Sequence, residues 1–124
     1  MEKQGWVSVW LGNIKEADSL GEYVDFTYNE DGELVSSKFF IDFNIDMDEI
    51  DEDTIEKEVF KTSSSDISTL LEGCSYEEII IPKIKENISL KKSYNAVILI
   101  YNFEYKNEIS TIGAFDFIAA IKYE

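Results

Sequence analysis

The chain has 124 residues, the size of one ordinary domain, and its content of 44% hydrophobic and 14% aromatic residues is enough for a folded core. It carries 26 Asp and Glu against 11 basic residues, a net charge of −15, and it contains neither Arg nor His. This composition excludes imidazole catalysis and bidentate arginine binding of phosphate, and so negative a molecule repels nucleic acid and anionic membranes.

The sequence also limits the setting in which the protein works. Its longest apolar run, residues 96–101, is far shorter than the roughly 20 residues of a membrane-spanning helix. The N-terminus lacks the basic start of a signal peptide, and the lone Cys74 cannot form an intramolecular disulfide. We therefore expect a cytoplasmic protein with a single domain, residues 1–124, and no cofactor.

The N-terminal part of the chain predicts a strand followed by a helix. Residues 6–11 are rich in β-branched and aromatic side chains and run into Gly12-Asn13, which is typical of a strand entering a turn. Ser19-x-x-Glu22 has capping-box spacing, and apolar residues then recur at helical intervals as far as Tyr28. The turn signal at residues 29–32 ends this helix.

The middle of the chain predicts alternating short elements. Residues 37–43 space three phenylalanines as a buried helical stripe, whereas residues 54–60 fit either a helix or a strand, and we favour the strand. Ser65 and Asp66 suit the start of a helix that ends at Gly73. Ser75-x-x-Glu78 is a second capping box, and Pro82 after it marks either a kink or a restart.

The C-terminal part of the chain contains the strongest strand signals. Residues 94–105 are apolar on both faces, as in the middle of a sheet, and residues 115–123 alternate apolar and partly polar positions. We expect these two strands to pair as a hairpin beside the first strand. The predicted fold is α+β, with a mainly antiparallel sheet of about four strands and helices packed against it.

The densest feature is an acidic segment, residues 42–58, in which nine carboxylates stand against one lysine. They are Asp42, Asp46, Asp48, Glu49, Asp51, Glu52, Asp53, Glu56 and Glu58. Such a run repels itself, so a reason to keep it is worth seeking. One interpretation is a solvated surface loop, and another is a docking surface whose carboxylates imitate nucleic-acid phosphates for a basic partner.

A third interpretation of the acidic segment is a calcium loop. Asp42, Asn44 and Asp46 occupy positions 1, 3 and 5 of such a loop, but Met47 stands where its sharp turn needs Gly. Position 12 is Asp53, where the loop normally has a bidentate Glu. We therefore predict no metal site.

Catalysis by paired carboxylates is a further alternative. Glycosidases and two-metal enzymes use such pairs, but the carboxylates need an apolar pocket that separates their pKa values. No segment of the sequence identifies such a pocket, and no Gly-rich phosphate loop is present. We therefore assign no catalytic residues.

Several blocks, in order along most of the chain, resemble the immunity protein 22 family of bacterial polymorphic toxin systems. They are residues 6–13, Tyr23, residues 28–32, 37–39 and 42–43, then 51–53 with Glu56, and residues 94–101. The resemblance implies a small cytoplasmic protein that binds and neutralises a cognate toxin made by the same cell. It supplies no binding residues of its own.

The charge supplies a candidate site and a kind of partner. A basic toxin, such as a nuclease-type domain, suits the carboxylates of the acidic segment. The residues predicted to bind it are Asp46, Asp48, Glu49, Asp51, Glu52, Asp53, Glu56 and Glu58. The alternatives are a metal-dependent or carboxylate-based enzyme and a general acidic protein-interaction module.

Overall fold

A five-stranded antiparallel sheet organises the protein. The computed structural model describes residues 2–24, 27–35, 37–46, 50, 52–106, 109 and 111–123. Its elements are β1 (Glu2–Gly12), α1 (Ala17–Tyr23), β2 (Thr27–Tyr28), β3 (Leu34–Val35), α2 (Lys38–Asp42), the 3-10 helix Glu52–Thr54, β4 (Ile55–Ser64), α3 (Ile67–Leu70), α4 (Glu77–Asn87), β5 (Tyr94–Phe103), β6 (Thr111–Ile112) and β7 (Phe115–Lys122). The strand order in the sheet is β4-β5-β1-β7-β6. The predicted α+β class is confirmed, with five strands in the sheet where about four were expected.

Helices cover both faces of the sheet. On one face, Trp10 of β1 and Ile98 of β5 pack with the phenylalanines of α2 and with Leu20 of α1. On the other face, Val9 and Leu99 pack with the apolar residues of α3 and α4. The two central strands are therefore apolar on both sides, because alternate side chains of a strand point to opposite faces.

The expected hairpin between the last two long strands is wrong, because β1 lies between β5 and β7. Val9 of β1 stands opposite Leu99 of β5 on one side and Ala119 of β7 on the other. The connection after β5 crosses to the far edge and returns through β6, which pairs with β7 across a tight turn at Gly113, where φ is +57°. The connection between β5 and β6 is long enough to cross over β1. Strand β1 has apolar side chains on both faces, which suits a central position in the sheet.

The helix predicted around Ser19 is displaced and shortened. Helix α1 begins at Ala17 and ends at Tyr23, so Ser19 lies inside it, and Tyr28 belongs to β2. The turn signal at residues 29–32 closes a small β2–β3 hairpin, in which the Asn29 side chain accepts bonds from the N–H groups of Asp31 and Glu33. Strand pairing between β2 and β3 therefore determines the structure at Tyr28, although the spacing of the apolar residues indicated a helix.

The other predicted elements occur close to their expected positions. Residues 55–60 of the favoured strand lie within β4, while Thr54 ends the 3-10 helix, and Phe39, Phe40 and Phe43 are buried. Asp66 caps α3 by accepting from the N–H of Ser68, but α3 ends at Leu70, before Gly73. The second capping box is wrong, because α4 begins after Tyr76 and Ser75 bonds elsewhere. Helix α4 continues through Pro82.

Candidate functional site

Strand β4 brings two of the predicted carboxylates to one face of the sheet. Glu56 stands opposite Leu99 and Glu58 opposite Val97, so both point to the face that α3 and α4 cover. Glu56 is half-buried and Glu58 is exposed. Because β4 is the edge strand, these carboxylates lie at the border of the sheet.

Three of the other predicted binding residues lie in the described part of the chain. Asp46 is exposed after α2, and Asp53 is exposed in the 3-10 helix that Glu52 begins. Asp48, Glu49 and Asp51 lie outside the described residues. Among the described members of this set, the structure places Glu56 and Glu58 together on one face of β4. The other side chains that surround them come from distant parts of the chain.

Glu56 binds the connection between α3 and α4. Its Oε1 accepts a hydrogen bond from the backbone N–H of Ser75 at 3.0 Å, and its Oε2 accepts from Ser75 Oγ at 2.7 Å. The Tyr101 hydroxyl lies 2.8 Å from Glu56 Oε1 and 2.8 Å from the carbonyl oxygen of Ser75. One carboxylate thus joins the edge strand, a neighbouring strand and the start of α4.

These hydrogen bonds determine how the groups ionise. Burial alone raises the pKa of Glu56, but the bonds from Ser75 and Tyr101 outweigh it and hold the pKa below its ordinary value. Burial, with the neighbouring Glu56 carboxylate, raises the pKa of Tyr101 far above its usual range. Burial also raises the pKa of the Cys74 thiol, to about 11. At neutral pH Glu56 is charged and both neighbours keep their protons, so Cys74 is not an activated nucleophile.

Next to this network lies a tyrosine patch, which consists of Tyr76, Tyr101 and Tyr123. The Tyr76 and Tyr123 ring centroids are 4.6 Å apart, and Tyr101 meets Tyr123 edge to face at 5.5 Å. Tyr101 and Tyr123 are buried, whereas Tyr76 is 44% exposed. Tyr76 also has a left-handed backbone, with φ at 62° and ψ at 28°, a conformation that is rare for an aromatic residue.

A groove of about 560 Å³ runs between β4 and the end of α3, and we call it the edge groove. Its floor is formed by the apolar side chains of Val97, Leu99 and Leu70. Of the described residues, three carboxylates line it, namely Glu56, Glu58 and Glu72. The remaining lining residues are Ile55, Lys57, Phe60, Gly73 and Cys74. The groove therefore combines an apolar surface with an acidic border, an arrangement suited to a cationic protein segment.

Sequence reasoning missed the residues that complete this site. Ser75 and Tyr101 are 19 and 45 positions from Glu56, and only the fold brings them together. The local signal at Ser75 was misleading, because its spacing to Glu78 indicated a helix cap. The exposure of Tyr76 follows from the tertiary packing and leaves no pattern in the sequence.

Two features of the described residues bear on metal and membrane binding. Within them, no three His, Cys, Asp or Glu side chains are grouped so that they could hold a metal ion. The postulated calcium loop includes residues 47–49 and 51, which lie outside the described ranges. None of the described helices combines the length and the apolar character needed to cross a membrane.

Comparisons with known proteins place the chain in a family. The searches of curated proteins and of solved structures returned no match. The family model described as Immunity protein 22 matches residues 7–124, which contain the second half of β1 and every later element. The chain therefore belongs to the Immunity protein 22 family, and its role is that of an immunity protein with a toxin as its partner.

Proposed function

We propose that this protein neutralises a basic, nuclease-type toxin domain in the cytoplasm by binding it through the face that holds Glu58, the edge groove and Tyr76. The observation that carries the proposal is an exposed aromatic side chain beside a carboxylate-lined apolar groove. Protein interfaces commonly combine a buried aromatic anchor with a charged or polar rim. Membership of an immunity family supports a toxin as the occupant.

The net charge favours a basic partner. A molecule with a charge of −15 attracts cationic proteins and repels nucleic acid and anionic lipid. Electrostatic attraction raises association rates by roughly 10 to 1,000-fold, which serves an inhibitor that must reach a lethal enzyme quickly. A nuclease-type domain is basic where it holds nucleic-acid phosphates, so a carboxylate surface fits the same region. The carboxylates of the acidic segment, residues 42–58, contribute to this attraction.

Tyr76 supplies the proposed anchor. A non-glycine residue in the left-handed region costs of order 1–3 kcal/mol, and such strain tends to occur where a side chain must be presented in a particular direction. Here the strained residue precedes α4, is 44% exposed and packs its ring against that of Tyr123. Since tyrosine is among the side chains that dominate binding energies at interfaces, we assign Tyr76 to the centre of the toxin contact.

Inhibition by binding is favoured over catalysis. The thiol of Cys74 and the hydroxyl of Tyr101 keep their protons at neutral pH, because burial raises the pKa of each group. The Glu56 carboxylate is occupied by bonds from Ser75 and Tyr101. These groups therefore stabilise the structure around the groove. The surface supports binding of a partner better than it supports catalysis.

The test measures binding to the cognate toxin domain. One variant reverses charges at the edge groove, Glu58→Lys with Glu72→Lys, and a matched control reverses exposed charges in the β2–β3 turn, Glu30→Lys with Asp31→Lys. Both change the net charge from −15 to −11. We expect the groove variant to lower the association rate constant at least about tenfold and the control to lower it about threefold or less.

A third variant, Tyr76→Gly, separates anchoring from charge. Glycine accepts the left-handed backbone without strain, so the fold should be retained, while the dissociation rate should rise at least about tenfold. Each variant is also assayed for protection of growing cells against the toxin. Equal association rates for the groove variant and the wild type, together with unchanged dissociation of the Tyr76 variant, would place the toxin contact elsewhere.

A further inference from the structure

Strand β4 presents an open hydrogen-bonding edge. It pairs with β5 on one side, from Ile55 opposite Ile100 to Val59 opposite Ala96, and it is the last strand of the sheet on the other side. Alternate backbone groups of an edge strand necessarily point away from its partner. Within the described part of the chain, the backbone of residues 55–63 makes no hydrogen bond to any element except β5.

The surroundings of this edge differ on its two sides. The edge groove borders it on the Glu56 and Glu58 face. The side chain of Lys57, which lines part of the groove rim, extends to the opposite face, where its Nζ donates to the carbonyl oxygen of Val24 at 3.4 Å. Lysines on an edge strand discourage pairing with identical chains, and Lys57 and Lys61 have this effect here. The edge groove, however, lies next to these lysines. Its apolar floor and its carboxylates would contact a chain that lay along β4.

We infer that an extended segment of the toxin, with Lys or Arg at alternate positions, adds to the sheet as a strand along β4. The inference rests on the proposed function and specifies how the partner is held. Side chains of an added strand alternate between faces, so every second residue would lie beside Glu58 and Glu72. Main-chain bonds to β4 supply affinity, and the cationic side chains supply specificity.

Charge favours a toxin segment over a second copy of the same chain. Two copies bring together net charges of −15 each, and a symmetric pair of β4 edges would also bring two sets of groove carboxylates close to each other. A cationic segment of a basic toxin would instead be attracted by the groove carboxylates. The occupant is therefore a cationic extended segment from the partner protein.

Residue-resolved amide exchange tests the inference in the free protein and in its complex with the cognate toxin domain. Outward-pointing amides of residues 55–59, where the ladder with β5 is regular, should exchange rapidly in the free protein and at least about tenfold more slowly in the complex. Inward-pointing amides, already bonded to β5, should change much less. The expected pattern is thus alternate protection along β4.

A pair of proline variants tests the same edge without isotope labelling. The N–H groups of the adjacent residues Lys57 and Glu58 point in opposite directions, so one of Lys57→Pro and Glu58→Pro removes an outward donor and the other removes a ladder donor. The outward variant should keep the thermal stability and lose at least about tenfold in toxin affinity. Lys57→Ala and Glu58→Ala, which keep their N–H groups, are the matched controls for the side chains.

The outcomes separate this inference from the proposed function. Alternate protection of β4 with a proline-sensitive complex supports strand addition. A complex that forms without alternate protection overturns it and leaves the proposed function standing, whereas failure to bind the toxin at all refutes both. Protection that appears in the free protein as its concentration rises assigns the edge to a second copy and overturns the toxin segment.

Discussion

Glu56 links two parts of the chain that are 19 positions apart, and it does so with both carboxylate oxygens. Its position on an edge strand leaves it half-buried, so water still competes with these bonds. Hydrogen bonds to a charged group contribute roughly 1.5–3 kcal/mol when shielded and less when solvated. We therefore attribute to Glu56 a moderate stabilisation of the contact between β4 and the start of α4.

The first prediction concerns the pH dependence of this contact. The pKa of Glu56 is lowered in the folded state, so its stabilisation is fully present above the unfolded pKa of about 4.3 and is lost as the pH falls through the folded value. Glu56→Gln should lower the free energy of unfolding by about 1 kcal/mol at pH 7, and the difference from wild type should shrink below about pH 4.

Chemical denaturation at several pH values measures this difference. Glu58→Gln is the matched control, since Glu58 lies two residues further along the same strand and is exposed. Its effect should remain within about 0.5 kcal/mol. A Glu56→Gln variant as stable as wild type at neutral pH would mean that solvent already compensates for the loss of the carboxylate.

Buried aromatic residues were the most predictable single positions. The spacing of Phe39, Phe40 and Phe43 predicted one buried stripe, and all three pack in the core, where Phe39 meets the Trp10 ring edge to face at 5.0 Å. The role of Ser75 could not be predicted, because its partner Glu56 is reached only through tertiary packing. Local patterns report burial well and report long-range polar contacts poorly.

At the level of elements, Gly12 shows how closely β1 and β7 approach each other. A Cβ atom added at Gly12 would lie 2.5 Å from Cδ1 of Phe115 and 2.6 Å from the carbonyl oxygen of Ala114. Phe115 stands directly opposite Gly12 and is buried, and the Asn13 N–H donates to the same Ala114 oxygen. Neither neighbour has room to move without disturbing the turn that precedes β7.

The second prediction compares two glycine substitutions. Gly12→Ala should lower the free energy of unfolding by about 1–3 kcal/mol, because the new methyl group forces backbone and ring to shift. Gly21→Ala, in α1, meets no atom within 4 Å and should raise it by up to about 1 kcal/mol through helix propensity. Urea denaturation of both variants gives the comparison, and equal effects would contradict the steric explanation.

Elements were predictable where their own residues determine them and less so where pairing does. The strands β1, β4, β5 and β7 follow from alternation and β-branched content. The order of the strands does not follow from these signals, because the segment after β5 is long enough either to return beside β5 or to cross over β1. Strand β1 contributes apolar side chains to the cores on both faces of the sheet, and this favours the central position that it occupies between β5 and β7. The β2–β3 hairpin likewise stands where the end of a helix was predicted, because it is formed by pairing between two segments.

For the whole molecule, charge has two opposing consequences. The chain has 26 acidic and 11 basic side chains, so the folded protein is destabilised by repulsion among the excess negative charges. The described ion pairs, such as Lys92 with Asp116 at 3.1 Å, offset only a little of the repulsion because they are near the surface. The same field that destabilises the compact state attracts a basic toxin.

The last prediction follows from these opposing effects. Raising NaCl from 50 to 500 mM shortens the screening distance, which is about 10 Å at 0.1 M and 3 Å at 1 M. Relief of self-repulsion should then raise the Tm of the free protein by a few degrees, equivalent to about 1 kcal/mol, while the association rate with the toxin falls. The control variant Glu30→Lys with Asp31→Lys, at −11, should gain less Tm from salt than the wild type at −15. Calorimetry and stopped-flow binding in the same buffers measure both quantities, and a Tm that falls with salt would show that local ion pairs outweigh the net charge.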